Sequence, residues 1–277
     1  MTVTISVVIP NWNGQDHLPT CLNSLRAQTH QEFEVIVADN ASSDDSRELL
    51  SSEYPEVQVI ALDHNAGFAA ACNAGMRTAL GGILVLLNND TEVEHDWLAE
   101  VASAFKRHPE AGIIASRMLL FDQRDTIHTT GDLYRVSGVP ANRGVWERDI
   151  GQYSEGSVFS ACGGAAAYRR EMIDQIGMLD EDFFFSCEDI DLAWRAQLQG
   201  WKAMYAPDAV VYHHLASTGG GPIASFYDGR NMIYLLIKDV PGCVWRQHWV
   251  TIISTQISLA WNAVLAWRGR AARARLR

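Results

Sequence analysis

The chain has little sulfur, and none of it is arranged to bind metal or staple a fold. Its five cysteines, Cys21, Cys72, Cys162, Cys187 and Cys243, are scattered and odd in number. No C-x-x-C pair occurs, so a zinc framework or a disulfide scaffold is not expected. Reduced thiols in a cytosolic protein are the simplest account. G-x-G-x-x-G is absent, and so is G-x-x-x-x-G-K-[ST], so the chain carries neither a dinucleotide fingerprint nor a P-loop. Acidic residues are missing from one end. From Cys243 to Arg277 there is no Asp or Glu, while six Arg fall there: Arg246, Arg268, Arg270, Arg273, Arg275 and Arg277. Residues 1–242 hold 16 basic and 33 acidic residues, a net of −17, against −11 for the whole chain. An acidic body argues against nucleic acid as a partner, and a basic end suggests a partner of its own. Residue 5 already reads as strand, so no signal peptide is expected.

What is present is an alternation. Ile5 to Ile9 is a β-branched run closed by Pro10, as expected of a buried parallel strand. Leu18, Cys21, Leu22 and Leu25 share helical spacing, which predicts a helix over 18–28. Strands follow at 34–38, 57–62 and 83–87, and helices at 42–52, 67–80 and 97–107. Four strand–helix repeats in the first 110 residues or so imply a doubly wound, mostly parallel sheet of the α/β class. A fifth strand is expected at 112–118. Residues 120–157 lose all periodicity and suit a hairpin or loop insertion over one end of the sheet. Order returns over 158–170. A helix is expected near 189–199, short strands at 202–205 and 209–212, and a helix at 226–237. The economical division is one domain over 1–242 and a helical, basic appendage over 243–277.

Each early strand runs into a polar cluster. The first ends in Pro10, Asn11, Trp12 and Asn13, and the second in Asp39-Asn40. The third reaches Asn65, Gly67 and Phe68, and the fourth ends in Asn88, Asn89 and Asp90. In open α/β sheets ligands bind beyond the carboxyl ends of the strands, so the fold gathers these clusters on one edge. A lone Asp there can hold a divalent cation, and the cation a diphosphate. The Asn88-Asn89-Asp90 triplet alone does not separate this from an Asx-capped turn. The coincidence of four clusters is harder to explain as turn chemistry. Ser186 and Asp189 fit an S-x-x-D capping box. Asp191 and Arg195 stand at i, i+4, as in a surface ion pair.

The segments Ser6–Asn13, Val37–Asp44, Asn65–Phe68, Leu87–Thr91 and Glu188–Arg195, with His213 and Arg230-Asn231, resemble family 2 glycosyltransferases of the GT-A fold. Among these the likeness is to bacterial rhamnosyltransferases of cell-wall and O-antigen assembly. The resemblance implies inverting transfer of a hexose, L-rhamnose from dTDP-rhamnose, to a glycan or polyprenyl-linked acceptor. UDP-hexose or galactofuranose transfer is the alternative. A sugar-phosphate nucleotidyltransferase would need a basic Gly-rich loop that residues 10–16 lack, and a third rival is a non-catalytic binding relative. It also implies roles. Asp189 is the general base on the acceptor hydroxyl, and Glu188 shapes its surroundings. Asp39 accepts from a pyrimidine N3–H beside the 10–13 turn. Asn88 replaces the first acid of an Asp-x-Asp and faces the ribose. Asp90 and His213 hold Mg2+ or Mn2+, with His214 the competing ligand. Gly163-Gly164 lets backbone approach the donor, or is a tight bend. Arg230 reaches the diphosphate, or lies on a solvated helix face.

In the 243–277 segment, Val244 to Trp267 is largely apolar but interrupted by Arg246, Gln247, His248, Gln256 and Asn262, so it is a poor membrane span. Its Trp and Arg suit an interfacial helix on an anionic leaflet, at the cytoplasmic face of the membrane. Packing on the domain or homo-oligomerisation is the alternative.

Overall fold

The structure, a computed structural model, describes residues 3–215 and 221–265. Strands β1 (Ile5–Asn11), β2 (Phe33–Asp39), β3 (Gln58–Ala61) and β4 (Ile83–Leu87) alternate with helices α1 (Leu18–Arg26), α2 (Ser46–Glu53) and α3 (Phe68–Thr78). Then come β5 (Thr91–Val93), α4 (Trp97–Arg107), β6 (Ala111–Leu120), β7 (Ile127–Thr129), β8 (Asp132–Tyr134), β9 (Pro140–Asn142), β10 (Gly156–Val158) and β11 (Ala165–Arg169). The chain continues through α5 (Arg170–Ile176), a 3-10 turn (Glu181–Phe183), α6 (Glu188–Leu198), β12 (Lys202–His213), α7 (Gly221–Lys238) and α8 (Gly242–Leu265).

The main sheet runs β10-β12-β6-β11-β4-β1-β2-β3, with β5 added beside β12 and β7 beside β6. Strands β1 to β4, β6 and β12 all point one way, and β11 is reversed between β4 and β6. Alternation along the strands explains why both faces are covered. Ile5, Val7 and Ile9 pack with α1 and α4 on one side. Val8, Ile36, Leu84 and Leu86 pack with α3, α5 and α6 on the other. A sheet buried on both faces needs apolar runs in its parallel strands.

Three local expectations are corrected. The helix expected from Ser42 starts at Ser46, because Asn13 and Gln15 bind the backbone of residues 43–45 from across the edge. Residues 202–212 form one strand, not two. The register shifts between Ala206 and Val210, where Pro207 has no N–H to donate and the ladder bulges. The order expected over 158–170 is β11, and it runs straight into α5, whose seven residues are too short to announce a period. Cys187, at φ 71°, is the N-cap of α6, and no side chain caps it. The S-x-x-D capping box is therefore not formed.

The 120–157 stretch contributes β7 to the main sheet and forms the β8–β9 hairpin, which lies beside the cavity described below. At the other end, α8 is docked by its first half. Ile252 is buried against Leu236 and Val240, and Trp245 Nε1 donates to the Leu236 carbonyl at 2.9 Å. Among the described residues no helix is long and apolar enough to cross a membrane.

Candidate active site

The carboxyl ends of β1, β2 and β4 meet at one edge, and the start of the reversed β11 lies there too. A cavity of about 1430 Å³ opens above them. Its floor includes Pro10, Asn11, Trp12, Asn88, Asn89 and Asp90. Asn65, Gly67, Phe68, Gly163, Gly164, Glu188 and Asp189 line its walls, so the sequence motifs do converge.

Hydrogen bonds fix the floor. Asn11 Nδ2 donates to Asp39 Oδ1 at 3.0 Å and Asn89 Nδ2 to Asn11 Oδ1 at 2.8 Å. Arg47 and the Ser42 N–H donate to Asp39 Oδ2. Burial pushes the Asp39 pKa up, but the donors Ser42, Arg47 and Asn11 outweigh it and hold the group below the usual carboxylate range. Asp39 is fully buried and does not line the cavity. Asn13 accepts from the Ser43 N–H at 2.7 Å, so its side chain serves the turn and not the cavity wall. Asn40 and Asn65 shape the 65–68 turn: Asn40 Nδ2 donates to Asn65 Oδ1, and Asn65 Oδ1 accepts from the Gly67 N–H, both at 3.0 Å.

Gly67 sits at φ 93°. A Cβ there would stand 2.6 Å from the Phe184 carbonyl oxygen, which accepts from the Phe68 N–H at the start of α3. The turn thus holds the segment that leads to Glu188 and Asp189. That segment is strained, with Phe184, Ser186 and Cys187 all at positive φ. Asn231 clamps it from α7, donating to the carbonyls of Phe183, Phe185 and Ser186. Ser186 Oγ donates to Asp228 at 2.7 Å.

Arg230 is placed away from the cavity. Its guanidinium donates to the carbonyls of Asp182 and Phe183 at 2.6 and 2.9 Å. In this arrangement Arg230 serves backbone carbonyls, and the Phe183 carbonyl also accepts from Asn231 Nδ2. Asp191 and Arg195 do pair, at 2.6 Å, but Asp191 is buried and Arg195 also binds the carbonyls of Ile176 and Met178. The pair locks the α5–α6 connection instead of decorating a surface.

Asp189 Oδ2 accepts from the Gly163 N–H and Oδ1 from the Ile190 N–H, both at 2.8 Å. Burial raises its pKa against those bonds. A Cβ on Gly163 would make only ordinary contacts, at 3.4 Å or more, so this position serves as an N–H donor and is not a steric necessity. Glu188 is buried, and Oε2 has no partner among the described residues. Burial first, then the charge of Asp189, pushes its pKa up. Asp132, which no motif marked, is buried on β8 and lines the same cavity. Burial and Asp189 raise its pKa well above the carboxylate range.

Opposite these acids, His213 Nε2 stands 3.0 Å from Asp90 Oδ1, and both side chains are buried. His214 turns away, its ring stacked on Phe121 with centroids 3.6 Å apart. Of the two histidines, His213 is the one that faces Asp90. Among the described residues no three ligand-type side chains converge into a ready-made metal site. The donor set nevertheless suits a cation whose shell a diphosphate completes. The cavity is lined by five carboxyl groups, Asp90, Asp132, Glu188, Asp189 and Asp228, and among the described residues by no Lys or Arg. A diphosphate entering it needs a positive charge that the walls do not supply.

Fold and edge together define a GT-A glycosyltransferase. The chain belongs to glycosyl transferase family 2, whose model matches residues 6–177. It is 27% identical over 272 residues to an N-acetylglucosaminyl-diphospho-decaprenol L-rhamnosyltransferase of Mycobacterium tuberculosis, covering 89% of this chain and 88% of that one. It is 29% identical over 228 residues to the O-antigen biosynthesis protein RfbC of Myxococcus xanthus, covering 77% of this chain but 17% of that much longer protein. Among solved structures, Staphylococcus aureus TarS 1-349 in complex with UDP superposes with a TM-score of 0.63 at 19% identity, over 92% of this chain and 72% of that one. The longer TarS chain is covered to 43%. GalNAc-T7 with UDP, GalNAc and Mn2+ gives 0.67 at 18% identity, over 84% of this chain and 48% of that one.

Proposed function

We propose that this glycosyltransferase moves a hexose, L-rhamnose from dTDP-rhamnose, with inversion, onto a glycan carried by a polyprenyl diphosphate. The observation that carries the reading is that Asp90 and Asp189 line one cavity, with the buried His213 paired to Asp90. The mycobacterial relative, named for rhamnosyl transfer to a decaprenol-linked sugar, supports the choice of donor and acceptor. A nucleotide sugar lies over the strand ends, with its base beside Trp12 and Asn11 and its diphosphate toward Asp90. Asp90 and His213 would hold Mn2+ or Mg2+, which when bound would neutralise charge on the leaving diphosphate. Asp189 takes the proton of the attacking hydroxyl, and Gly163 and Ile190 orient its oxygens. The acceptor enters from the side of Asp132 and α7.

The enzyme works at the inner face of the membrane. On α8, Trp249, Ile253, Ile257 and Trp261 recur at intervals of four and are exposed. That apolar row, followed in sequence by Arg268, Arg270, Arg273, Arg275 and Arg277, supports peripheral binding to anionic lipid. Residues 266–277 lie outside the described residues.

A panel of nucleotide sugars, each with and without Mn2+, tests the reading by protection against thermal unfolding. dTDP-rhamnose should protect most, and only with the cation. Stronger protection by a UDP-hexose would replace the donor. Equal protection after chelation would remove the metal.

A further inference from the structure

Of the residues around Asp90 and His213, His128 is the one no motif announced. It sits on β7, and its ring lines the cavity. Its Nδ1 stands 3.2 Å from Nδ1 of His213, with ring centroids 4.9 Å apart. Two neutral imidazole nitrogens at that distance share one hydrogen, which one donates and the other accepts. Among the described residues no other side chain meets His213 Nδ1. On the other side of the ring, His213 Nε2 is 3.0 Å from Asp90 Oδ1 and 3.4 Å from Asn88 Nδ2. An imidazole that binds a cation through Nε2 presents a lone pair there and carries its hydrogen on Nδ1.

From this contact, and resting on the reading of Asp90 and His213 as the cation's protein ligands, we propose that His128 is a positioning residue for the cation. Its Nδ1 accepts the Nδ1–H of His213 and so holds His213 in the tautomer whose Nε2 lone pair faces Asp90. Without a cation the pair runs the other way: His213 donates Nε2–H to Asp90, and His128 donates Nδ1–H to His213. Cation entry shifts hydrogens and leaves both rings neutral. His213 gives its Nε2 hydrogen to water, His128 passes its Nδ1 hydrogen to His213, and His128 takes one from water on Nε2. A facing histidine serves both arrangements, because either of its nitrogens can be the protonated one. A carboxylate or a lysine in its place would serve only one.

The test titrates Mn2+ in the presence of dTDP, read from the EPR signal of the free ion, in wild type, His128→Phe, His128→Asn and Asp90→Ala. Phe keeps a ring and offers no hydrogen bond. Asn puts its amide where Nδ1 lies and can turn either end toward His213. His128→Phe should weaken Mn2+ binding about 10–100-fold, the loss usual for a partner of a metal ligand, while His128→Asn stays within about threefold. Unchanged binding in His128→Phe, with Asp90→Ala impaired, overturns the positioning role and leaves the metal reading intact. Equal losses in both His128 variants overturn it too, since ring volume would then matter and the hydrogen bond would not. No Mn2+ binding in wild type, or unchanged binding in Asp90→Ala, overturns both readings. Should the variants fail to fold, nitrogen-15 spectra of the wild type with Mg2+ and dTDP decide: hydrogen on Nδ1 of His213 is expected, and hydrogen on Nε2 overturns the proposal.

Discussion

Replacing Asp189 by Asn should remove most transfer while sparing the donor, and the structure says how much else it costs. Both oxygens of Asp189 accept backbone N–H groups, from Gly163 and from Ile190. An amide has only one oxygen, so its NH2 must face one of these donors whichever way it turns. A donor left against a donor costs about 1–3 kcal/mol. In a domain of this size each kcal/mol lowers Tm by about 2–4 °C, so a drop of several degrees is expected. Relief of the crowding among Asp189, Glu188 and Asp132 offsets part of it. Loss of a general base lowers kcat by about 10²–10⁴, or roughly 3–5.5 kcal/mol of barrier. The chemical loss therefore exceeds the structural one and is separable from it. The assay measures kcat well below the variant's own Tm, with dTDP-rhamnose affinity measured alongside. A kcat within a few-fold of wild type removes Asp189 from proton transfer. A parallel loss of donor affinity would mean that the substitution displaced Gly163 and not that it removed a base.

The three acids also predict how stability responds to pH. The folded pKa of Glu188 is raised, so the folded state binds its proton more tightly than the unfolded chain. Its cost is absent below the unfolded carboxylate range and grows as pH rises toward the raised value. Glu188→Gln should therefore raise Tm more at pH 8 than at pH 5; an equal gain at both would mean that Glu188 titrates normally. Gly67→Ala forces a side chain into φ 93° and against the Phe184 carbonyl. Unfavourable backbone of this kind costs about 1–3 kcal/mol before the clash is counted, so thermal unfolding should show a clear loss, and an unchanged Tm would show that the turn relaxes freely. Deleting 266–277 removes five of the six Arg while leaving Trp245 and Ile252 docked. Co-sedimentation with anionic vesicles should fall for that truncation and fall for the full chain as salt rises; full-length protein that ignores such vesicles at low salt would rule out membrane docking.

The first half of the fold was legible because it obeys simple periods. Every strand from Ile5 to Leu87 is an apolar run ended by a polar cluster, and β-pairing leaves those clusters on one edge. The reversed β11 was not legible. A strand's direction is set by its neighbours, and Ala165 to Arg169 reads the same either way. Asp132 and His128 stayed hidden because they lie on short strands in a stretch without period, where nothing local says which way a side chain faces. The surroundings of Arg230 were hidden for a related reason. Arginine suits phosphate and carbonyl oxygens alike, and only the path of residues 182–183 shows which oxygens are near. Of the alternatives for the 243–277 segment, packing on the domain is what its start does: Trp245 and Ile252 join it to α7, so deletion from residue 243 would strip cover from Leu236 and Val240.

That junction ties two parts of the molecule together. The loop carrying Ser186 and Cys187 holds three residues at positive φ, a conformation that persists only when its surroundings determine it. Those surroundings are Gly67, whose turn receives the Phe184 carbonyl at the start of α3, and α7, from which Asn231 and Asp228 bind the loop. The far end of α7 supplies Leu236, against which Ile252 of α8 packs. One helix therefore touches both the loop that sets Asp189 and the helix that offers the apolar row of Trp249, Ile253, Ile257 and Trp261. On the proposed function, an acceptor that stays in the membrane would bring its hydroxyl to Asp189 from that side. The contacts of α7 would then set how far the attacked hydroxyl stands from the lipid surface, and the length of the glycan between lipid and hydroxyl would have to match that span.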